Sequence, residues 1–456
     1  MSLTNFITQL GAAGAGGDIY WASVTSLSSQ QLYGSCIDSD SAGNVFVGGY
    51  RGGINSSPYG WINVHNPDGT LNASKQIQST DSEILDGLVL FNKSGAGFNT
   101  VGNGRINATY SSDRGYIDWS TSGGKNAANR NNNTETERVS SIGYSGAGAG
   151  NFFYTAGNSI ISSSGYVTIG KVTNNGTYLD EDAYYRPVYF SSYPSDEQYN
   201  YGGAAMDSQG RGIFGAYYMS CWRTNTAFTA TEVGKQVSLT STVYAGPQVA
   251  VDSADNPILS AFGRRVSGYD EALLVKFNES DMSVAWARAL QRGYSGTAGK
   301  AYSCTVDSQD NVYVAGTVNN SGNDIGFVAK FNSSGTFQWS RTFRNTGGSY
   351  PRGRINRVRI DGNDNVLLTG WFHNQSTNVY KAWTFKLPPD GIATQTLSLD
   401  SETIYIENTS ITITSWTPST SNYAPGFSST GTVGSSTWSN TISNSGYTNT
   451  PTELTL

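Results

Sequence analysis

The chain has 456 residues, a formal net charge of −6 and 14% charged residues, with 54 glycines and 28 tyrosines. The acidic excess, with no Lys/Arg cluster to offset it, argues against nucleic-acid binding, and no run of about 20 apolar residues exists to cross a bilayer as a helix. Aromatic residues make up 12% and supply bulk for a core, so the low charge does not imply disorder.

The opening residues Met1–Leu10 lack the basic start and apolar block of a secretory signal. Export, if it occurs, is expected by another route, such as assembly into a particle released by lysis. Gly11–Gly17, Gly and Ala throughout, reads as a flexible joint, so residues 1–18 are expected to form an N-terminal tether. From there a phrase of the form Asp-x-x-x-Asn-Val-x-Val-x-Gly recurs, clearest at Asp307–Gly316 and, with leucines for the second Val, at Asp361–Gly370. Aligned on the closing small residue, the copies end at Gly49, Gly102, Gly157, Ala216, Ala261, Gly316 and Gly370, with spacings of 53, 55, 59, 45, 55 and 54. Seven units of about 54 residues, each of short strands and turn residues, fill roughly 380 positions and predict an all-β, seven-bladed β-propeller over residues 19–399.

Within it, Ile19–Thr25 resembles the outer strands at 338–343 and 284–290 and is expected to pair into the last blade as a clasp, because an open ring leaves bare strand edges. The alternative is that Ala393–Leu399 fills that place alone. The first blade carries Ile62–Val64 before the turn Asn66–Gly69, and the third Val167–Lys171 before Asn174–Gly176. The fifth pairs Leu273–Phe277 with Trp286–Leu290. The sixth shows four strands, at 302–307, 312–318, 325–331 and 336–343, and the seventh runs Trp383–Leu387 into Pro388–Gly391. The second and fourth are the most eroded. After Lys386 no Lys or Arg occurs, and residues 400–456 are rich in Ser, Thr and Asn, with strands at 403–407 and 410–416. That shift predicts a separate C-terminal β-rich extension.

Asp38–Asn44 starts like a calcium loop, but its last position is Gly49 where a bidentate Glu is needed, so the blade Asp and Asn residues are expected to bond the turn between the first two strands. His65 and His373 fall in different blades, in turns or loops facing solvent, with no third ligand nearby. The carboxylate pairs Glu181-Asp182, Asp196-Glu197 and Asp270-Glu271 read as solvated loop acids, and Ser111–Trp119 is one residue off the Asp-box phrase of sialidases. Cys36, Cys221 and Cys304 give an odd number without a Cys-x-x-Cys, so no disulfide framework is expected, and Cys36 and Cys304, just before blade aspartates Asp38 and Asp307, read as small buried side chains. No catalytic residue, metal or cofactor is nominated. The candidate binding residues are Tyr33, Tyr144, Tyr201, Tyr244, Tyr294 and Tyr350, in loops leading into the first strands on one face. A ring of tyrosines there offers flat faces with polar tips to sugars or proteins, and the competing reading is packing of each against its neighbouring blade.

The phrases Asp-x-x-Gly/Asp-Asn-Val-Tyr-Val-x-Gly and Ala-Lys-Phe-Asn-Ser-Ser-Gly-Thr-x-Gln-Trp resemble bacterial and phage seven-bladed propeller repeats. The finishing Phe385–Gly391 with its Ser/Thr-rich tail, and the opening Ser2–Gly17, resemble virion structural proteins of tailed phages from marine bacteria. The resemblance implies a non-enzymatic particle component of a tail, baseplate or capsid surface, present in multiple copies in the virion. It would contact other virion proteins and a host-surface glycan or receptor. The alternatives are a carbohydrate-binding, lectin-like propeller and, last, a glycoside hydrolase.

Overall fold

The computed structural model describes residues 19–453 except 27–29, 53–58, 79–81, 93–96, 106–111, 121–122, 131–135, 145–151, 162–163, 175–178, 191–201, 217–218, 240, 266–268, 293–295, 298, 321–322, 346–351, 375–376, 393, 401, 409, 426–440 and 445–447. In blades two and three the strand courses are described, with few of their side chains. The tether at residues 1–18 therefore lies outside the described residues.

Strands consecutive in sequence pair antiparallel into seven sheets, over residues 32–78, 82–130, 136–190, 202–237, 241–291, 299–345 and 352–387. The first strand of each sheet touches that of the next, and Arg352–Ile360 of the seventh returns to touch Leu32–Ser39 of the first. The sheets thus close a ring, with first strands innermost and fourth strands at the periphery. The seventh supplies only three strands of its own. Its fourth is Trp21–Ser26, paired to Val379–Leu387 with Trp21 opposite Lys386 and Thr25 opposite Ala382, which is the expected clasp. Gln395–Leu399 does not take that place; it pairs with Glu402–Glu407 outside the sixth blade.

The closing glycine of the repeat has a steric cause. In blades one, six and seven the innermost strand slips register by one residue, between Gly34 and Cys36, Ala301 and Ser303, and Ile355 and Arg357. Each slip is a β-bulge that drives a backbone carbonyl toward the second strand. A Cβ on Gly49, Gly316 or Gly370 would overlap the carbonyl oxygens of Tyr33, Lys300 and Arg354. Blade four pairs without a slip and carries Ala216 at the same place. Gly370→Ala is expected to cost about 3 kcal/mol, because only backbone can yield; a denaturant midpoint unchanged from the parent would contradict this.

Neighbouring blades are locked by a repeated device. The fourth-strand tryptophans Trp286, Trp339 and Trp21 donate their indole N–H to the carbonyls of Ser333, Pro389 and Pro67, at 3.1, 3.2 and 3.1 Å, in the next blade's last turn. Gly335, Gly391 and Gly69 of those turns, at φ of 77°, 80° and 85°, lie directly on the indole rings, where both the backbone angle and the ring exclude a side chain. The Gly-Thr-x-Gln-Trp phrase therefore encodes two halves of adjacent interfaces.

The C-terminal segment is not the separate appendage that its composition implies. Glu402–Glu407 pairs with the outer strand of blade six, Thr412–Ser415 with that of blade five and Thr420–Asn422 with that of blade four. Further on, Thr441–Asn444 pairs with the outer strand of blade one, and Thr448–Glu453 with Trp21–Ser26 of blade seven. The tail runs backwards round the rim, adding an edge strand to each of these sheets. Its apolar residues explain this: Leu397, Leu399, Ile404 and Ile406 are buried in the core cluster of blades six and seven. Ile411 and Ile413 pack on blades five and six, and Trp416 on the core between blades four and five. Alternation in Thr-Ile-Tyr-Ile buries one face, while the paucity of charge lets the other lie along neutral strand edges.

Candidate functional site

Loops entering the first strands and those joining second to third strands share one face of the ring, called here the upper face. Of the six candidate tyrosines, Tyr33 alone has a described side chain. Tyr144 and Tyr244 lie on strands whose side chains there are not described, and Tyr201, Tyr294 and Tyr350 fall outside the described residues. Tyr33 sits at the closing seam. Its ring stacks on Tyr50 at 4.8 Å and meets Tyr380 at 5.1 Å and the edge of Trp371 at 6.0 Å, the last two from blade seven. Its hydroxyl donates to Gln31 at 3.0 Å. Burial, then the neighbouring Tyr50 and Tyr380, push the phenol pKa up, so it remains a donor. Tyr33 thus packs between blades, yet all four rings keep partial exposure and make a half-buried aromatic patch.

A second assembly on this face spans blades five to seven. The Arg354 guanidinium lies over the ring of Tyr302 at 3.6 Å, Tyr302 meets the edge of Phe262 at 6.1 Å, and Lys300 Nζ is 5.3 Å from the Phe262 ring. Arg354 belongs to an innermost strand with Arg352, Arg357 and Arg359, four arginines in eight positions. No contiguous Lys/Arg run marks this group in the sequence. The signal was alternation along one strand rather than a contiguous run. Arg357 is buried and donates to Gln248 Oε1 of blade five, reaching past blade six on the axial side. Gln248 in turn donates to Gly202 O of blade four at 3.5 Å.

The opposite, lower face carries the Asp turns. In blades one, five, six and seven the Asp Oδ1 accepts the backbone N–H groups two and four residues on, and Oδ2 accepts the Asn side chain, as from Ala254, Asn256 and Asn256 Nδ2 to Asp252 at 3.0, 2.8 and 3.0 Å. In blade four Arg211 replaces the Asn. The expected turn chemistry is therefore present, with one correction: in blade one the turn residue is Asp40, while Asp38 lies on the strand and accepts Ser39 N–H at 2.9 Å. Among the described residues no group of three His, Cys, Asp or Glu side chains could hold a metal ion.

These turns also join blades. Ser208, Ser253 and Ser308 each donate N–H and hydroxyl to the carboxylate of Asp255, Asp310 and Asp364 in the following blade, at 2.6 to 2.9 Å. Those aspartates hold φ of 62°, 61° and 65°, a conformation normally left to glycine. Asp310→Ala is expected to cost about 2 kcal/mol by losing the clasp, and Asp310→Gly about half that, because glycine relieves the backbone. Equal losses in chemical denaturation would contradict that division. At the seam the corresponding positions are Gly362 and Gly43, so no clasp of this kind can form there.

The other titratable candidates are structural. Asp270 and Glu271 are not solvated loop acids: they begin a strand, are buried, and pair with Arg264 at 2.8 Å and Arg265 at 3.2 Å. Glu181 and Asp182 lie on strand Leu179–Phe190, the Asp-box-like phrase coincides with strand Ser112–Ser120, and Asp196 and Glu197 are outside the described residues. Both histidines prove buried rather than solvent-facing, because each closes a strand beneath an aromatic ring. His373 stacks on Tyr380 at 4.4 Å, and His65 stacks on Trp21 at 4.8 Å and donates Nδ1–H to Gly69 O at 3.1 Å. Cys36, Cys221 and Cys304 are buried and form no disulfide with one another, Cys36 and Cys304 on innermost strands as expected.

Burial lowers the His65 pKa from 6.5 to about 4. Between those values the unfolded chain binds the proton and the folded one does not, so the His65 contribution is complete above pH 6.5 and is lost as pH falls toward 4. The loss is on the order of 3 kcal/mol. Stability measured against pH should show that slope, and His65→Gln should flatten it; an unchanged slope would contradict the assignment.

The class these features define is the β-propeller, a repeat protein of radially packed antiparallel sheets. No protein-family model matches the chain, and no curated protein matches it. Similar solved structures include Sqt1 from Chaetomium thermophilum, 10% identical, covering 84% of this chain and 98% of that one at a TM-score of 0.45. YCF48 from Cyanidioschyzon merolae is 9% identical, with coverages of 81% and 100% and a TM-score of 0.41. The WD40 domain of SCAP from fission yeast is 8% identical, with coverages of 89% and 98% and a TM-score of 0.28. Each is a likeness in fold.

Proposed function

We propose that the chain is a non-catalytic structural component of a phage virion, presenting the upper face of its wheel to neighbouring subunits or to the host surface. The observation that carries the adhesive part is the half-exposed patch of Tyr33, Tyr50, Trp371 and Tyr380, which offers aromatic area held rigid across two blades. The tail favours a particle role, because covered sheet edges suit a protein that must remain discrete at high local concentration. The virion assignment itself rests on the resemblance of the repeat and end phrases. Against catalysis stands the use of the described carboxylates: Asp252, Asp307 and Asp361 hold turns, and Asp270 and Glu271 are committed to arginines.

Trp371→Ala with Tyr380→Ala is expected to reduce binding to host cells about tenfold or more, with the protein still folded although less stable for the lost contacts with Tyr33 and His373. Undiminished binding would remove the patch from the adhesive reading. Mass spectrometry of purified particles tests the virion reading: the chain should be present at reproducible copy number, and its absence would defeat that reading. The second reading is a lectin-like module, favoured by the same patch, which would bind a glycan array without any particle.

A further inference from the structure

We propose that the axial end of the upper face, between blades five and seven, binds the anionic group of an acidic saccharide through Arg354 and Lys300. The saccharide class rests on the adhesive reading above; the anion chemistry stands on the geometry.

Arg288, Arg341, Arg357 and Arg359 donate to backbone or amide oxygens, and five further described arginines are held by carboxylates. Arg211, Arg223, Arg264, Arg265 and Arg344 each meet a carboxylate within 3.2 Å. Arg352 and Arg354 meet none among the described residues, although they share a strand facing this rim. Arg354 has one face of its guanidinium against Tyr302, and its Nε is buried with no hydrogen-bond partner among the described residues. Because Nε is buried, an incoming anion would be gripped through the terminal nitrogens of the guanidinium. Asp270 and Glu271 are the acids of blade five on this face, and both are already engaged.

Two features select the ligand. Phe262 and Tyr302 are nearly buried, at 1% and 9% exposure, so they present no free ring to a sugar or a base. They act instead as a platform that fixes Arg354 and Lys300, lowering the entropy lost when an anion is gripped. Beneath them Arg357 is bound to Gln248, so its positive charge adds to the potential from below without leaving the core. An overall charge of −6 disfavours a nucleic-acid strand, whose binding draws mainly on many cations set along its phosphates. A sulfate or carboxylate borne singly on each sugar fits the few fixed cations.

The purified full-length protein should be titrated with dextran sulfate, polygalacturonate and neutral dextran at low and high salt. Binding is expected for a polyanion, weakening with salt, and not for neutral dextran; the tighter polyanion distinguishes sulfate from carboxylate. Arg354→Gln and Lys300→Gln should each weaken it about tenfold or more, Arg354→Lys less so, and Lys235→Gln at the outer edge of blade four not at all. Failure of the wild type to bind either polyanion, unweakened binding by both Gln variants with native melting temperatures, or equally tight binding of single-stranded DNA would overturn the proposal. Particle composition separates the two readings. Wild-type chain present in particles but indifferent to polyanions would sink the anion site and leave the virion reading intact, whereas absence from particles would do the reverse.

Discussion

Truncation after Leu399 is expected to destabilise the protein by an amount on the order of 10 kcal/mol and to make it self-associate. The size follows from what leaves with the tail. Ile404 and Ile406 are buried in the core cluster with Phe343, Trp383 and Phe385, and Leu397 and Leu399 lose the strand that covers them. Polar ties go too. Arg344 pairs with Glu407 at 2.6 Å, and Lys381 reaches Asp400 at 3.1 Å and the buried Glu402 at 3.3 Å. Thr231 donates to Pro425 O at 3.0 Å, and Tyr423 N–H to Gly234 O at 2.9 Å. Self-association follows because the outer strands of blades four, five and six would each expose a row of unpaired backbone groups. A smaller probe, Ile404→Ala with Ile406→Ala, should cost about 6 kcal/mol without baring an edge. Denaturant unfolding with sedimentation would check both. A truncated chain that stays monomeric with its midpoint unmoved would show that the tail contributes little.

Trp21→Ala should cost about 4 kcal/mol, the loss typical of a large aromatic removed from a closed core. Trp21 is fully buried and packs with Leu32, Ile37, Val45, Val47, Trp61, Leu367 and Ala382, residues of blades one and seven. Its indole N–H is satisfied by Pro67 O, and Gly69 rests on the ring. The seam leans on this residue more than the interfaces joining blades four to seven lean on theirs, because the Ser–Asp clasp present there cannot form at Gly362 and Gly43. Trp21→Phe should recover much of the packing but not the hydrogen bond, falling between parent and alanine. Limited proteolysis should then cut the alanine variant first near Trp21–Ser26. A loss under about 1 kcal/mol would mean the ring is held closed elsewhere.

The repeat made the architecture readable because its constraints are local. Asp-x-x-x-Asn fixes one turn, the closing glycine answers one bulge, and Gly-Thr-x-Gln-Trp fixes one interface, so each copy states the same geometry. The N-terminal clasp was readable for the same reason, since Trp21 repeats the outer-strand tryptophan. The tail was not. Its strands Thr412–Ser415 and Thr420–Asn422 are short, and their partners lie about 125 and 185 residues away in a reverse order that composition cannot encode. Both histidines were misplaced because burial under Trp21 and Tyr380 is a tertiary fact. The arginines at 352–359 alternate along a strand, so the guanidinium of Arg354 meets Tyr302 only once two blades are packed side by side.

Backbone hydrogen exchange of the intact chain tests the belted wheel most directly. Amides of residues 403–406 and 412–415 that face the outer strands should exchange as slowly as those of the blades they border, and should be released together with them on global unfolding. Exchange of the same amides at the rate of an unstructured peptide, while the blades stay protected, would contradict it.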